Sequence, residues 1–297
     1  MTGQAEHEGA LDSLTILDLS EGVAGPYAAH LFAVYGAQVI KVERPGAGDA
    51  SRHWAPYAGE PGIERSLTFA ATNAGKLGLT LDYETPEGAA ILGRLAEDAD
   101  GIIEDHPTRR RDDLGLGFDA LVARIPRLVI VQVSGYGATG PYSNRPMAGL
   151  TLAAAAGVLP PDAEGPTYDR GLEQILGMNA YVAALAGLLR AAQTEHGQVV
   201  DVGGMPALAS LGSGPPPGGA SLEIDVPRLR ARHLLRTVDH ADAGTLEYPV
   251  APFEMSLTPP DALTPAPLLG EHTDYILTDL IEMEAAADEA LRAKGVV

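Results

Sequence analysis

Glu173 stands just ahead of a run of small residues in RGLEQILGMNAYVAAL, residues 170–185. A carboxylate in that setting has three roles open to it: nucleophile, general base, or a charge favoured by a helix N-terminus. Asp169, four residues earlier, is the nearby substitute carboxylate. Ala180, Ala183, Ala184 and Gly187 would let another backbone come close, so everything after Gly177 reads as a buried helix. His106 lies in EDHPTRRRDD, after a short apolar run, where ligand sites of open α/β sheets collect. Tyr136 lies in SGYGATGP, a glycine-rich loop whose backbone N–H groups could hold a carbonyl oxygen or oxyanion. Each has a plainer reading: a solvated carboxylate, a packed histidine, a tight crossover loop. The chain has three lysines, with Lys41 in an expected strand and Lys76 in an expected turn. Arg44 precedes Pro45-Gly-Ala-Gly-Asp49, where glycines would let a phosphate approach backbone N–H groups or simply end a strand.

The composition closes off several classes of function. A formal net charge of -20 repels nucleic acid and anionic lipid. With no cysteine there are no disulfides, thiolate nucleophiles or cysteine-ligated zinc. No HExxH or clustered ligand spacing supports a metal. The N-terminus, MTGQAEHEGALDSL, is polar and does not read as a signal peptide, and no run of eighteen apolar residues is evident. A cytoplasmic protein without a membrane span is therefore expected. A nicotinamide site is poorly supported: Glu43 lies about twenty residues past Gly25, but Gly22-Val-Ala-Gly25-Pro is not GxGxxG.

The elements that must position these residues follow from their patterns. Residues 14–19 and 38–43 read as strands around a helix at 25–36, which is a parallel βαβ unit. A helix from Pro86 to Glu97 has Thr85 as its N-cap. Residues 100–104 and 128–133 are apolar runs typical of buried parallel strands. The segment 212–221, GSGPPPGGAS, reads as a linker, followed by a short helix at 226–237, a strand or extended segment at 245–250, and a last helix at 273–284 continuing through 285–294. His30 reads as a packed polar residue, and His272 as a helix N-terminal feature with Thr273 as a cap. The expected fold is α/β, with a Rossmann-like parallel sheet and flanking helices. Residues 1–211 form the large domain, 212–225 the linker, and 226–297 a C-terminal segment returning to the large domain.

Several segments together resemble the class III CoA-transferases, the CaiB/BaiF family that includes formyl-CoA transferase and the acyl-CoA racemases. They are ILDLSEGVAGPYAAHLFAVYGAQVIKVERPGAGDASR, NAGKLGLTLDYETPEG, LGLGFDALVARIPRLVIVQVSGYGATGPY, HGQVVDV and APLLGEHTDYIL, in the family's order. The resemblance implies an interlocked homodimer and thioester chemistry on CoA. In that chemistry an aspartate ahead of a glycine-opened helix attacks the thioester carbonyl. It places Glu173 at the aspartate's position, one methylene longer; a nucleophile displaced by about 1 Å loses roughly a hundredfold in rate, whereas a base can reach through water. It places Ala24, Arg44 and Lys76 among the CoA-binding groups, with Arg109 as a cation that compensates from a different position. Ala148-Gly149 stands where the racemases carry a His–Asp pair, and Asp105, His106 and Asp113 replace the family's Asn-Phe and a basic residue. The Pro/Gly linker stands where the family has a small domain whose glycine-rich loop covers the site. Three readings follow: acid–base isomerase, lyase or cyclase chemistry on an enolisable carbonyl or thioester, as in a biosynthetic tailoring step; a genuine acyl-CoA transferase or racemase; or a non-catalytic scaffold. The expected partners are a small-molecule substrate and a second copy of the chain. No cofactor is required, and a CoA thioester is the one candidate ligand.

Overall fold

The computed structural model describes residues 9–59, 65–107, 118–147, 149–156, 166–209, 227, 230, 235–240, 244–249, 255–258 and 263–297. The expected linker and Arg109 lie outside these residues, so the domain boundary drawn there has no structural counterpart to set against it.

A six-stranded parallel sheet carries the fold. Its strands are β1 (Thr15–Asp18), β2 (Gln38–Glu43), β5 (Leu77–Thr80), β6 (Gly101–Glu104), β7 (Val129–Ser134) and β8 (Val199–Gly203), in the spatial order β5-β2-β1-β6-β7-β8. Two short strands, β3 (Tyr57–Ala58) and β4 (Arg65–Ser66), pair antiparallel outside it. The apolar runs are continuous because the sheet is covered on both faces, and alternate residues enter opposite cores. Ile16, Val39, Val129 and Val131 join one core, with Phe32, Tyr181 and Ala184. Leu17, Ile40 and Ile130 join the other, with Ile91, Leu95 and Ile276.

Helix α1 (Ala24–Val34) is buried except at Tyr27, because it lies between the sheet and a second helical layer. Helices α2 (Leu67–Asn73), α3 (Pro86–Asp98), α4 (Phe118–Arg124) and α5 (Gly149–Ala156) follow in the chain. Thr85 caps α3, its hydroxyl accepting from the Gly88 amide at 3.1 Å. Helix α6 (Pro166–Thr194) is the long outer helix, and α7 (Gly204–Ala209) follows β8. The small residues of α6 act as expected: a Cβ on Gly177 would sit 2.5 Å from the Ala24 carbonyl, and one on Gly187 2.9 Å from Val129. Two expectations for α6 are corrected. Glu173 lies inside the helix, because α6 starts at Pro166 and runs through Gly171, so the reading of Glu173 as a helix-N-terminal charge falls. The helix is also not buried all round: Met178, Val182 and Leu189 are 45%, 64% and 62% exposed, along the face turned away from α1.

By length and hydropathy alone, the stretch Arg170–Thr194 could cross a membrane, a property that the sequence reading missed. Leu176, Ala180, Tyr181 and Ala184 on its other face are core residues, with Phe32 4.8 Å from Tyr181 between ring centroids.

The C-terminal segment returns to the sheet as expected. Its helical turn Thr273–Tyr275 and the π-helical turn Ile276–Leu280 precede the last helix, α8 (Ala285–Ala293). His272 and Thr273 do not cap a helix through their side chains; they cover the sheet edge. Gly78 N–H donates to His272 Nδ1 at 3.1 Å, Gly78 O accepts from the His272 amide at 2.9 Å, and Thr80 N–H donates to Thr273 Oγ1 at 3.1 Å. The edge strand β5 thereby satisfies backbone groups that would otherwise invite another strand. The helix expected at 226–237 is corrected at its end: Leu235–His240 forms β9, paired antiparallel with β10 (Gly244–Pro249). Val238 of β9 packs into the first core, so pairing and burial override the helical reading of this stretch.

Candidate active site

The strand order reverses between β1 and β6, and in such sheets ligands bind outside the carboxyl ends of the strands at that point. A cleft of about 400 Å³ opens there. Glu21, Gly22 and Val23 from the loop after β1 form one wall, and Asp105, His106 and Pro107 after β6 form another. Arg44 and Trp54 reach in from the segment after β2, Pro146 and Met147 from the loop before α5, and Glu173 from α6. A second cleft, of about 460 Å³, lies at the opposite end of the sheet against Asp100 and Arg127. It has none of the predicted site residues.

The floor of the first cleft rests on a buried charge network. Asp18, at the end of β1, accepts from the Ser20 amide at 3.1 Å and from Lys76 Nζ at 2.7 Å. Lys41 donates to the Ser20 carbonyl and to Asp49 at 2.9 Å, and lies 3.7 Å from Asp18. Asp49 accepts in turn from the Gly22 amide at 3.0 Å and from the Ser51 hydroxyl at 2.7 Å. Glu43 receives the Asp49 amide at 2.9 Å and Arg52 in a two-pronged pair at 2.7 and 2.6 Å. Arg52 also donates to the Pro267 carbonyl at 3.1 Å, which fastens the returning C-terminal segment to the network. Three carboxylates therefore face three cations, with Asp18, Lys41 and Lys76 wholly out of solvent.

The energetics follow from this pairing. Burial works against the Asp18 charge, but Lys41 and Lys76 outweigh it and hold the carboxyl below its ordinary range. Burial likewise opposes ionised Asp49, and Lys41 reverses the effect. Burial lowers Lys41, yet Asp18, Asp49 and Glu43 together raise it above the ordinary lysine value. Burial pulls Lys76 down to about 8, which leaves it mostly charged at neutral pH. The amides of Ser20, Glu21 and Gly22 all point at carboxylates: Asp18, Asp105 and Asp49. This loop is fixed from three separate segments, and its amides are already engaged.

The structure brings together three of the residues singled out in the sequence: Glu173, His106 and Arg44 all line the cleft. His106 is held by the Tyr83 hydroxyl at 2.9 Å from Nε2 and by Glu104 Oε2 at 2.8 Å from its amide. Burial raises the Tyr83 hydroxyl to about 12, so it stays protonated against the imidazole. Arg44 is half exposed, 3.7 Å from Glu21 and 4.0 Å from Glu84.

Other expectations do not hold. Lys76 is not a turn cation available to a nucleotide; it is 1% exposed, with Asp18, Asn73 and the Pro26 carbonyl as partners. Ala24 is fully buried, its carbonyl against Gly177. Tyr136 faces Tyr142 at 5.7 Å and the Leu152 cluster, outside the cleft lining. Two amides of its loop are already engaged: Gly137 donates to Ser134 Oγ at 2.8 Å and Ala138 to Asp201 at 2.9 Å. His30 is the packed residue expected, bonded to the Ala74 carbonyl at 2.9 Å and pulled down to about 4 by burial. The side chain of Asp169, like Arg109, lies outside the described residues. Among the described residues, no group of three or more His, Asp or Glu could hold a metal ion. Among the described residues, Arg44 is the one arginine or lysine that lines the cleft, and it is paired with acids.

Asp105, Glu21 and Trp54 line the cleft without having been chosen from the sequence. For the two acids the signal was their placement directly after strands that flank the reversal point. Trp54, the single tryptophan, carried no such signal.

Comparison with known proteins gives the family and the fold. The family model for CoA-transferase family III matches residues 11–214. An acyl-CoA transferase from Fusarium pseudograminearum is 37% identical, over 65% of this chain and 45% of that protein. A succinyl-CoA–D-citramalate CoA-transferase from Chloroflexus aurantiacus is 34% identical, over 65% of this chain and 48% of that protein. The chain thus spans about half the length of the curated relatives it matches. A solved CAIB/BAIF family protein from Brucella suis is alike in fold, with a TM-score of 0.79 at 20% identity, covering 92% of this chain and 100% of that one.

Proposed function

The chain belongs to CoA-transferase family III, and from that premise we propose that its cleft moves a proton at the carbon next to an acyl carbonyl, with Glu173 as the base. The observation that carries this reading is the meeting of Glu173 and His106 in one cleft at the reversal point of the sheet, without a phosphate cradle among the described residues around them. A carboxylate on a long packed helix is rigidly placed, and proton abstraction tolerates the extra methylene that displaces an attacking oxygen. The substrate class is an enolisable carbonyl compound or thioester that need not present a nucleotide. The outcome of the proton transfer would be isomerisation, elimination or cyclisation, according to what the substrate carries beside the carbanion.

The test is proton exchange in D2O, followed by NMR on two probes: propionyl-CoA and S-propionyl-N-acetylcysteamine, which keeps the thioester and lacks the nucleotide. Exchange of the α-protons of both probes is expected. A second reading, CoA transfer with Glu173 as nucleophile, draws its support from the relatives named as CoA-transferases. It would show instead as formation of succinyl-CoA from propionyl-CoA and succinate, with no exchange of the truncated thioester.

The partner we propose is a second copy of the chain. Met178, Val182, Ala186 and Leu189 recur along α6 at helical spacing and are exposed, a pattern that buries well against a like helix. Sedimentation at micromolar concentration should give a dimer, and Val182→Glu should shift it to monomer. A monomeric wild-type protein would refute the assignment.

A further inference from the structure

We propose that Asp105 is the proton donor of the cleft: it hydrogen-bonds the carbonyl oxygen of the substrate and protonates it as Glu173 takes the proton from the neighbouring carbon. The proposal deepens the acid–base reading above and rests on it. As the C–H bond breaks, its proton passes through a water to the Glu173 carboxylate and its electron pair forms the new carbon–carbon double bond. The carbonyl π pair moves to oxygen, which receives the Asp105 proton. The product is an enol, and return of a proton to carbon with loss of one from oxygen restores both groups.

The placement supports this assignment. Asp105 follows β6 and lines the same cleft as Glu173. Both of its carboxyl oxygens lie on one donor, the Glu21 amide, at 3.2 and 3.1 Å. That amide is its only hydrogen-bond partner among the described residues, and no described cation stands within ion-pair distance of it. This is unlike Asp18 and Asp49, which each sit on a lysine. A carboxyl so placed has an oxygen available to carry a proton toward the cleft.

The surroundings favour that proton. Burial is the largest influence and raises Asp105 well above the ordinary carboxyl value. Glu104 on its own strand and Asp49 across the loop act in the same direction, while the Glu21 amide and Lys41 on β2 oppose them. Beside it in the cleft stand His106, Glu173, and Arg44 with its Glu21 partner. A neutral carboxylic acid and a carboxylate base lining one cleft make a workable acid–base pair.

The experiment compares wild type with Asp105→Asn, using S-propionyl-N-acetylcysteamine exchange across pH, probe binding read from the fluorescence of Trp54, and melting curves. Wild-type exchange should fall at high pH as Asp105 loses its proton. Asp105→Asn should exchange about 100-fold more slowly at neutral pH, bind the probe within about threefold of wild type, and lack the high-pH fall assigned to Asp105. The stability sign follows from the raised value: the contribution of Asp105 is present below its unfolded value and is lost as pH climbs through its folded one. The melting temperature of the variant should therefore gain on wild type as pH rises. An Asp105→Asn enzyme with wild-type rate and pH profile would overturn the role of Asp105 alone. Absence of exchange in the wild-type protein would overturn the acid–base reading together with this role.

Discussion

Glu173→Gln should lower α-proton exchange by about two to four orders of magnitude, the range for loss of a positioned general base. The melting temperature should barely move. Glutamine keeps the length and shape of glutamate and can still donate and accept, and Glu173 is half-buried at the cleft, so its packing survives the change. Glu173→Asp then separates the two readings of the family cleft. Shortening the side chain moves the oxygen by about 1 Å, which an attacking nucleophile feels at roughly a hundredfold. If Glu173 is a base working through a water, Glu173→Asp should keep most of the exchange rate and gain no CoA transfer. If transfer from propionyl-CoA to succinate appears or rises in Glu173→Asp, the carboxylate position is that of a nucleophile and the base assignment is wrong.

The frame of the site is largely legible in the sequence. The strand Gln38–Glu43 has the extent its apolar run predicts, and the Thr85 cap and Pro86 start of α3 are as expected. These are local signals, apolar runs and caps, which need no knowledge of distant partners. What was not legible depends on long-range contact. Lys76 reads as a turn lysine, yet its partner Asp18 is 58 residues away, and that pairing turns it from a ligand group into a buried strut. Glu173 reads as preceding a helix because the run of small residues opens at Gly177; Leu172 and Leu176 pack into the interior, and burial carries the helix back past Glu173 to Pro166. The glycine loop around Tyr136 looked like a set of donors awaiting an oxyanion, but Asp201 and Ser134 already take two of its amides. In the sequence Asp105 stands out only as a departure from the family pattern, since a carboxyl's chemistry is set by what surrounds it and not by its letter.

Lys41→Met should destabilise the protein by about 3–5 kcal/mol at neutral pH, the cost of removing one partner from a buried ion pair. Methionine fills much of the lysine's volume, so the loss is mainly electrostatic. Asp18 and Asp49 would remain buried with a single lysine, Lys76, between them and the rest of the network. The pH dependence gives the prediction its sign. In the wild-type protein, Asp18 and Asp49 titrate below their ordinary value of 3.8. Their contribution is therefore present above that value and is lost as pH falls through the folded one. Lys41, raised above 10.5, contributes below that value and loses its contribution only as pH rises past it. Between pH 7 and 4 wild-type stability should thus change little through these groups. Without Lys41 the burial of the two carboxyls is no longer outweighed, their folded values rise, and the variant should regain stability as pH falls over the same interval. Urea unfolding at pH 7 and pH 4.5 measures both curves. A variant that is as stable as wild type at pH 7, or that loses stability on acidification, would show that the network does not hold the cleft floor. The consequence reaches the site itself: Lys41 grips the Ser20 carbonyl, and its partner Asp49 grips the Gly22 amide. Releasing that pair frees the wall that faces Asp105 and Glu173. Lys41→Met should therefore lose exchange activity even under conditions where it is fully folded.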